Sequence, residues 1–273
     1  MPRPIWKGAI SFGVVSIPVR LYAATSDKEI SFHLLHKDDN SRIKYLRWCP
    51  IDERVVENEE IVKGYEYAKG QYVVLTDEDF DRLPLPTRHT IELLSFVKAE
   101  EIDPVYYDKS YFLEPDQLGA KPYALMFRAL TERGLAALAK VALRTKERLC
   151  AVSPRKDVLM METLYYPNEI QVEKAPAPDI LVSKQELSMA FTFIDLLTGP
   201  FEPEKFHDRY QDALQETIEA KLQGREVVAA PPAPAVAPVD LMSALRASVE
   251  AAKKEKEAEA VEATGTEAPR KSA

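Results

Sequence analysis

The clearest change of hydrophobic period lies midway along the chain. Tyr123, Phe127 and Leu130 recur at helical spacing. Pro122 suits a first helical turn and Gly134 suits a helix end, so the pattern predicts a helix between them. Extended segments precede and follow this helix. The region therefore predicts strand, helix, strand.

The second of these strands carries a period of two. Val141, Leu143 and Thr145 are apolar or β-branched. Four even-numbered positions around them are cationic: Lys140, Arg144, Lys146 and Arg148. Because side chains alternate along a strand, the pattern predicts one cationic face on a strand or hairpin, provided that the strand is unbroken.

Short strand-like runs dominate the first 170 residues. They lie at 5–24, 30–36, 41–49, 54–75, 90–97, 110–115 and 157–166. Thr76 begins a short acidic helix, with Asp79 as its capping-box partner. Many short strands beside few helices predict an α+β, mainly β protein built on a barrel or a sandwich.

The remainder of the chain has a different character. Residues 183–228 predict two amphipathic helices, the first with a Ser183–Glu186 capping box, and we expect this segment to pack on the core, 1–182, or on a dimer. Residues 229–238 are rich in proline and alanine and predict a linker. In 239–273, a short helix is followed from Lys253 by a tail expected to be disordered in isolation.

The short helix near the C-terminus carries a narrow apolar stripe. Leu241, Leu245 and Val249 are spaced by four residues, so they share one face. A helix of this length is marginal by itself. The stripe therefore indicates a helix that binds in the groove of another protein.

Charge is unevenly distributed along the chain. The 273 residues carry 36 Lys+Arg against 44 Asp+Glu, a net charge of −8. Yet 121–156 hold nine cations and two carboxylates, and 1–50 hold eight cations and four carboxylates. This partition predicts a positive surface on an acidic body, with a polyanion as its partner. The alternative is that the cations form the solvated side of a strand.

Several classes of protein are not favoured. No apolar run approaches the ~20 residues of a membrane span, and the start lacks the apolar segment of a signal peptide. Cys49 and Cys150 are typical of thiols in a reducing compartment, so we expect a cytoplasmic, nucleoid-associated protein. Nucleotide-binding, hydrolase and metalloprotease motifs are missing, so we expect no enzymatic activity, no cofactor and no metal.

Two functions from other classes remain open. The acidic cluster Asp77, Glu78, Asp79 and Asp81 could hold Mg²⁺ in a metal-dependent nuclease, although acidic residues also suit a first helical turn. A protein scaffold without nucleic-acid affinity could pair its basic strands with its own acidic remainder.

Four long phrases carry a family resemblance. They are IWKGAISFGVVSIPVRLYAAT, SRIKYLRWCPIDERVVENEEIVKGYEY, KSYFLEPD and KPYALMFRALTERGLAALAKVALRTKERLCAV. In this order they resemble the prokaryotic Ku family of DNA end-binding proteins, over about residues 3–225. The resemblance implies a seven-stranded β-barrel with a bridging arch, C-terminal helices, and a homodimeric ring that threads onto double-stranded DNA ends without reading sequence. It also implies a non-catalytic role in non-homologous end joining, in which the C-terminal region recruits and stimulates an ATP-dependent DNA ligase D.

Charge and placement give the candidate contacts. The first group is Arg42, Lys44 and Arg47, which are interleaved with Tyr45 and Trp48, together with Arg144, Lys146 and Arg148 of the predicted hairpin. A second group is Lys7, Arg20, Lys121, Arg155 and Lys156. The stripe of Leu241, Leu245 and Val249 stands where the resemblance implies ligase docking.

Overall fold

The structure is a computed structural model that describes residues 3–26, 28–83, 87, 89–143, 146–171, 180–225 and 241–265. The chain divides into two compact units, Met1–Glu173 and Lys174–Ala273. Arg144 and the predicted linker at 229–238 lie outside the described residues.

A closed seven-stranded barrel forms the N-terminal unit. Its strands are β1 (Trp6–Phe12), β2 (Val15–Ala23), β7 (Thr90–Lys98), β8 (Tyr107–Pro115), β9 (Leu135–Leu143), β10 (Lys146–Arg155) and β11 (Val158–Leu164). The order around the barrel is β1-β2-β8-β11-β10-β9-β7. All neighbours are antiparallel except β1 and β7, which close the barrel in parallel. The predicted seven-stranded barrel is confirmed.

Alternation along the strands fills the barrel interior. Ile17, Val19 and Leu21 of β2 are buried, and the residues between them are less so. They pack with buried apolar side chains from other strands, among them Ile91 and Met161. This periodicity of two fixes which side chains face the interior and which face outward, and it therefore divides the cations of a strand between two surfaces.

Helix α2 (Ala120–Arg133) packs on the barrel and ends at Gly134, as predicted. Gly134 has φ 63°, a left-handed conformation that favours glycine. Tyr123 and Leu130 are buried under the helix. The Tyr123 hydroxyl donates to the carbonyl of Leu113 at 2.8 Å and accepts the N–H of Leu159 at 2.7 Å. We call the end of the barrel near this helix the helix end.

The opposite end of the barrel is where β1 begins, β2 ends, β9 ends and β10 begins. A long insertion leaves the barrel here after Ala23 and returns at Thr90. We call this the insertion end. The insertion holds the strand pairs β3 (Trp48–Cys49) with β4 (Arg54–Val55) and β5 (Lys63–Ala68) with β6 (Gln71–Leu75), and then α1 (Asp77–Asp81).

The predicted strands at 30–36 and 41–49 are wrong as regular elements. Only a bridge between Leu35 and Arg42 and the short β3 form there. The described residues from Ala23 to Leu75 include no buried side chain. Apolar residues in a strand are stabilised by a layer that covers them, and this segment has none within its own unit.

The C-terminal unit contains α3 (Lys184–Leu197), α4 (Arg209–Leu222) and α5 (Leu241–Gly265). The Ser183–Glu186 capping box of α3 is confirmed. Helix α5 contacts α3, and its Val249 and Ala252 are buried. It is longer than the predicted helix and includes residues expected to be disordered in isolation, because alanine, glutamate and lysine favour helix and α3 supplies a packing surface.

Candidate nucleic-acid interface

The β9–β10 hairpin does not have a single cationic face. Lys140 lies opposite Leu149, whereas Arg148 lies opposite Val141. Residues directly opposite each other share a face, so Lys140 and Arg148 point to different sides. The expectation of one cationic face is wrong because the register of β9 and β10 places even-numbered positions opposite odd-numbered ones.

Arg148 lies on the inner side of the hairpin at the insertion end. Its opposite residue, Val141, is fully buried in the core. The Arg148 Nη1 donates to Asp108 Oδ2 at 3.3 Å, and both side chains are largely covered. Lys146, two residues earlier, shares this face and is exposed.

Asp108 is held by two further side chains. Thr163 Oγ1 lies 3.3 Å from Asp108 Oδ2, and Tyr165 Oη donates to Asp108 Oδ1 at 3.2 Å. The negative charge of Asp108, together with this hydrogen bond, raises the pKa of the Tyr165 hydroxyl. The Asp108 carboxylate is therefore the shared acceptor at the centre of a small network that joins Arg148, Thr163 and Tyr165.

A cavity of about 370 Å³ opens beside this network. Its lining combines the Arg148 and Asp108 pair with Lys109 and with the half-buried aromatic residues Trp6 and Tyr111. The sequence does not single out the exposed Lys109, because it lies outside the two cation-rich ranges, 1–50 and 121–156. One signal in the sequence is that Lys109 alternates with Tyr111 and Leu113 along β8, which places these three side chains on one face of the strand.

Lys140, on the outer face, has a local counter-charge. Its Nζ lies 3.2 Å from Glu147 Oε1, and Glu147 also accepts a hydrogen bond from Thr87 Oγ1 at 2.9 Å. The bond from Thr87, and then that from Lys140, holds the pKa of Glu147 below its ordinary value. The Glu147 carboxylate in turn raises the pKa of Lys140. The outer-face cation is thus compensated.

Arg42, Lys44 and Arg47 lie in the insertion. Arg42 Nη2 is 3.1 Å from His33 Nδ1, Arg47 donates to the side-chain oxygen of Asn58, and Lys44 is exposed. Because the insertion leaves and rejoins the barrel at the insertion end, connectivity attaches these cations to the end that carries Lys146 and Arg148. The remaining hairpin candidate, Arg144, is outside the described residues.

The second group of candidates is divided between different surfaces. Lys7 and Arg20 are cross-strand neighbours on the outer face of β1 and β2, and Arg20 pairs with Asp116 at 3.2 Å. Arg155 is at the far end of β10 from Lys146, about 30 Å away at ~3.3 Å per residue.

The other two members of the second group also lie towards the helix end. Lys156 follows Arg155 in the turn after β10, and Lys121 is exposed at the start of α2. The structure therefore does not bring Lys121, Arg155 and Lys156 together with the cations of the insertion end.

The acidic cluster at α1 has local structural roles. Asp77 pairs with Lys63 at 3.0 Å, and Glu78 pairs with Arg82 at 3.2 Å. Asp79 accepts the N–H of Thr76 at 2.8 Å, and hydrogen bonds from Thr76 lower its pKa. Among the side chains that the structure describes, no group of three or more His, Cys, Asp or Glu is placed to hold a metal ion.

The helices of the described ranges include none that is both long and apolar enough to cross a bilayer.

Comparison with known proteins identifies the family. The profile of the Ku70/Ku80 beta-barrel domain matches residues 11–189. A relative from Frankia casuarinae, named non-homologous end joining protein Ku, is 48% identical over 254 residues, covering 92% of this chain and 64% of its own length. A second protein of that name, from Symbiobacterium thermophilum, is 48% identical over 267 residues, covering 94% of this chain and 65% of its own length.

A shorter relative matches over almost its whole length. The protein of the same name from Heliobacterium modesticaldum is 46% identical over 263 residues, covering 94% of this chain and 95% of its own length. The chain thus spans just under two thirds of the two longer relatives and nearly all of the shorter one. Together with the closed seven-stranded barrel, these matches show that the chain belongs to the Ku family.

Proposed function

We propose that this protein binds the ends of double-stranded DNA, without reading their sequence, in non-homologous end joining. The observation that carries the proposal is the placement of Lys146 and Arg148 at the barrel end from which the insertion with Arg42, Lys44 and Arg47 departs. Membership of the Ku family supports the same function, and the names of the relatives supply the pathway.

The chemistry of these groups suits phosphate. Lysine and arginine contact the backbone of DNA through charge and hydrogen bonds, and such contacts carry no sequence information. A chain with net charge −8 needs this positive charge concentrated on one surface, since its body repels DNA. Binding that depends on phosphate contacts weakens steeply as salt is added.

The protein acts as a ring-shaped homodimer in this proposal. Half a ring cannot encircle a duplex, so a second copy must complete it. Exposed apolar side chains in the insertion support the association: Phe32 is 66% exposed, Leu46 70% and Trp48 58%. Large exposed apolar surfaces mark sites of protein association. Sedimentation analysis of the protein tests the dimer.

The C-terminal segment recruits an ATP-dependent DNA ligase D in this proposal. The docking stripe is Leu241, Leu245 and Val249 of α5. Val249 is buried in the C-terminal unit, where α5 contacts α3. Contact of this side chain with a ligase therefore requires that α5 separate from α3. Deleting 239–273 should leave end binding intact and abolish ligase stimulation; unchanged stimulation would count against docking through α5.

The role is non-enzymatic, is carried out in the cytoplasm at the nucleoid, and needs no cofactor. A gel-shift titration with linear duplex and with the same DNA as a covalently closed circle tests it. The account predicts retarded complexes with the linear form and none with the circle at matched protein concentration. Equal retardation of both forms would contradict end binding. Unchanged length of the linear DNA after incubation with Mg²⁺ or Mn²⁺ is the expected result of the nuclease control.

A further inference from the structure

The network around Asp108 places a carboxylate on the surface proposed to meet DNA. Its side chain is 16% exposed and accepts from Arg148 at 3.3 Å and from Tyr165 at 3.2 Å. A negative charge next to a phosphate contact opposes binding by simple Coulomb repulsion. A carboxylate in this position therefore needs a physical explanation.

The geometry supplies one. Arginine has five N–H donors in a planar group, and Asp108 engages Arg148 through Nη1, which leaves donors for a further acceptor. Asp108 is itself fixed from the adjacent strand, because Thr163 is 1% exposed and its hydroxyl also accepts the backbone N–H of Lys109 at 3.1 Å. The guanidinium is thus anchored on one side to a rigid part of the barrel.

The free side of this arrangement adjoins the cavity of about 370 Å³, which Arg148 and Lys109 line together. A side chain held in one orientation loses less conformational entropy on binding than a free arginine does. Because Arg148 and Lys109 line the same cavity, a phosphate oxygen that enters it can approach both side chains.

We propose that Asp108 is a positioning residue, which holds Arg148 in the orientation that contacts a DNA phosphate. This inference rests on the proposed DNA binding and goes beyond it by assigning a favourable role to an acidic residue at the interface. Tyr165 and Thr163 act through Asp108, since each directs a hydroxyl to its carboxylate.

The sign of one substitution separates positioning from charge alone. Asp108→Asn removes a negative charge, so charge alone predicts tighter binding to linear duplex. Positioning predicts the opposite, a dissociation constant raised at least about two-fold at fixed salt. Asp77→Asn is the matched control, because it removes an exposed carboxylate that also pairs with a cation, Lys63, and it should bind as well as the wild type or slightly better.

A double-mutant cycle with Arg148→Ala supplies the readout that a purely structural role would not move. Asp108→Asn should weaken binding when Arg148 is present and should not weaken it in the Arg148→Ala background. Tyr165→Phe, which removes a donor without changing charge, should follow the same pattern to a smaller extent and serves if Asp108→Asn fails to fold. Thermal melting verifies the fold of each variant.

Four results would overturn the proposal. Tighter or unchanged binding of linear duplex by Asp108→Asn would do so. If Asp108→Asn does not fold, tighter or unchanged binding by Tyr165→Phe would do so instead. Equal weakening in both backgrounds would show a structural role. If Arg148→Ala binds linear duplex with full affinity and Lys146→Ala binds it more weakly, Arg148 does not contact DNA, although the proposed end binding still holds. Failure of the wild type to bind linear DNA would overturn the proposed function as well.

Discussion

Lys140 and Arg148 occupy opposite faces of the β9–β10 hairpin, Lys140 compensated by Glu147 outside and Arg148 held by Asp108 within. The sequence does not indicate this difference, because both residues are even-numbered positions of the same alternating pattern. The cations of the hairpin therefore fall into two classes: those placed to contact a ligand, such as Arg148, and those that form ion pairs on the outer surface of the barrel, such as Lys140.

Salt dependence should reveal this division. Replacing Lys146 or Arg148 with alanine should lower the slope of log K against log salt by about one unit each, whatever the DNA sequence, since each removes one phosphate contact. Lys140→Ala is the control on the other face and should leave the slope unchanged. Titrations at four or more salt concentrations measure it. A loss of slope in Lys140→Ala equal to that in Lys146→Ala would refute the assignment of faces.

The hydroxyl of Tyr123 should be important for stability. It joins the carbonyl of Leu113 to the N–H of Leu159 in a buried position. Tyr123→Phe leaves these backbone groups without their partner, so we expect the free energy of unfolding to fall by about 1–3 kcal/mol. Urea unfolding followed by circular dichroism measures this. Tyr45→Phe, at a residue that is 83% exposed, should change it by less than about 0.5 kcal/mol, and equal effects would contradict the bridge.

The cysteines should differ in reactivity. Burial raises the pKa of the Cys150 thiol to about 12, and the side chain is 0% exposed. Because the thiolate is the reactive form, Cys150 should resist a thiol reagent at pH 8 in the folded protein. Cys49 is partly exposed and should react. Counting modified thiols by mass spectrometry should give one in the native protein and two in denaturant; native modification of Cys150 would show that the barrel opens.

Glu60 should titrate at unusually low pH. Arg54 donates to both of its carboxylate oxygens, and this pairing, with the N–H of Glu57, lowers the pKa of Glu60 to about 2. A depressed carboxyl pKa stabilises the fold above the ordinary value, and that contribution disappears as the pH falls towards 2. Carboxyl NMR of the wild type should show this value, and Arg54→Gln should return it towards 4.5. An unchanged pKa in Arg54→Gln would exclude the pairing as the cause.

Local signals explain what the sequence predicts well. The helix between Pro122 and Gly134 and the capping box at Ser183 depend on neighbouring residues, and both are found in the structure. The number of barrel strands came from the family resemblance. In contrast, the predicted strands at 30–36 and 41–49 failed, since alternation indicates a strand only where another layer covers one face.

The candidate site was harder to predict because it is made by long-range contacts. Arg148 meets Asp108 across 40 positions, and Asp108 meets Tyr165 across 57. No local pattern signals such a pairing. The placement of Lys140 and Arg148 on different faces depends on the register of β9 and β10, in which even-numbered positions lie opposite odd-numbered ones.

Topological trapping tests the central claim most directly. The protein is loaded on linear duplex, both ends are then blocked with bound streptavidin, and the complex is moved to high salt with competitor DNA. The account predicts that the protein stays on the blocked DNA and is released when a restriction enzyme cuts it, because a closed ring leaves only through an end. Dissociation from blocked DNA as fast as from unblocked DNA would contradict a ring threaded on the duplex.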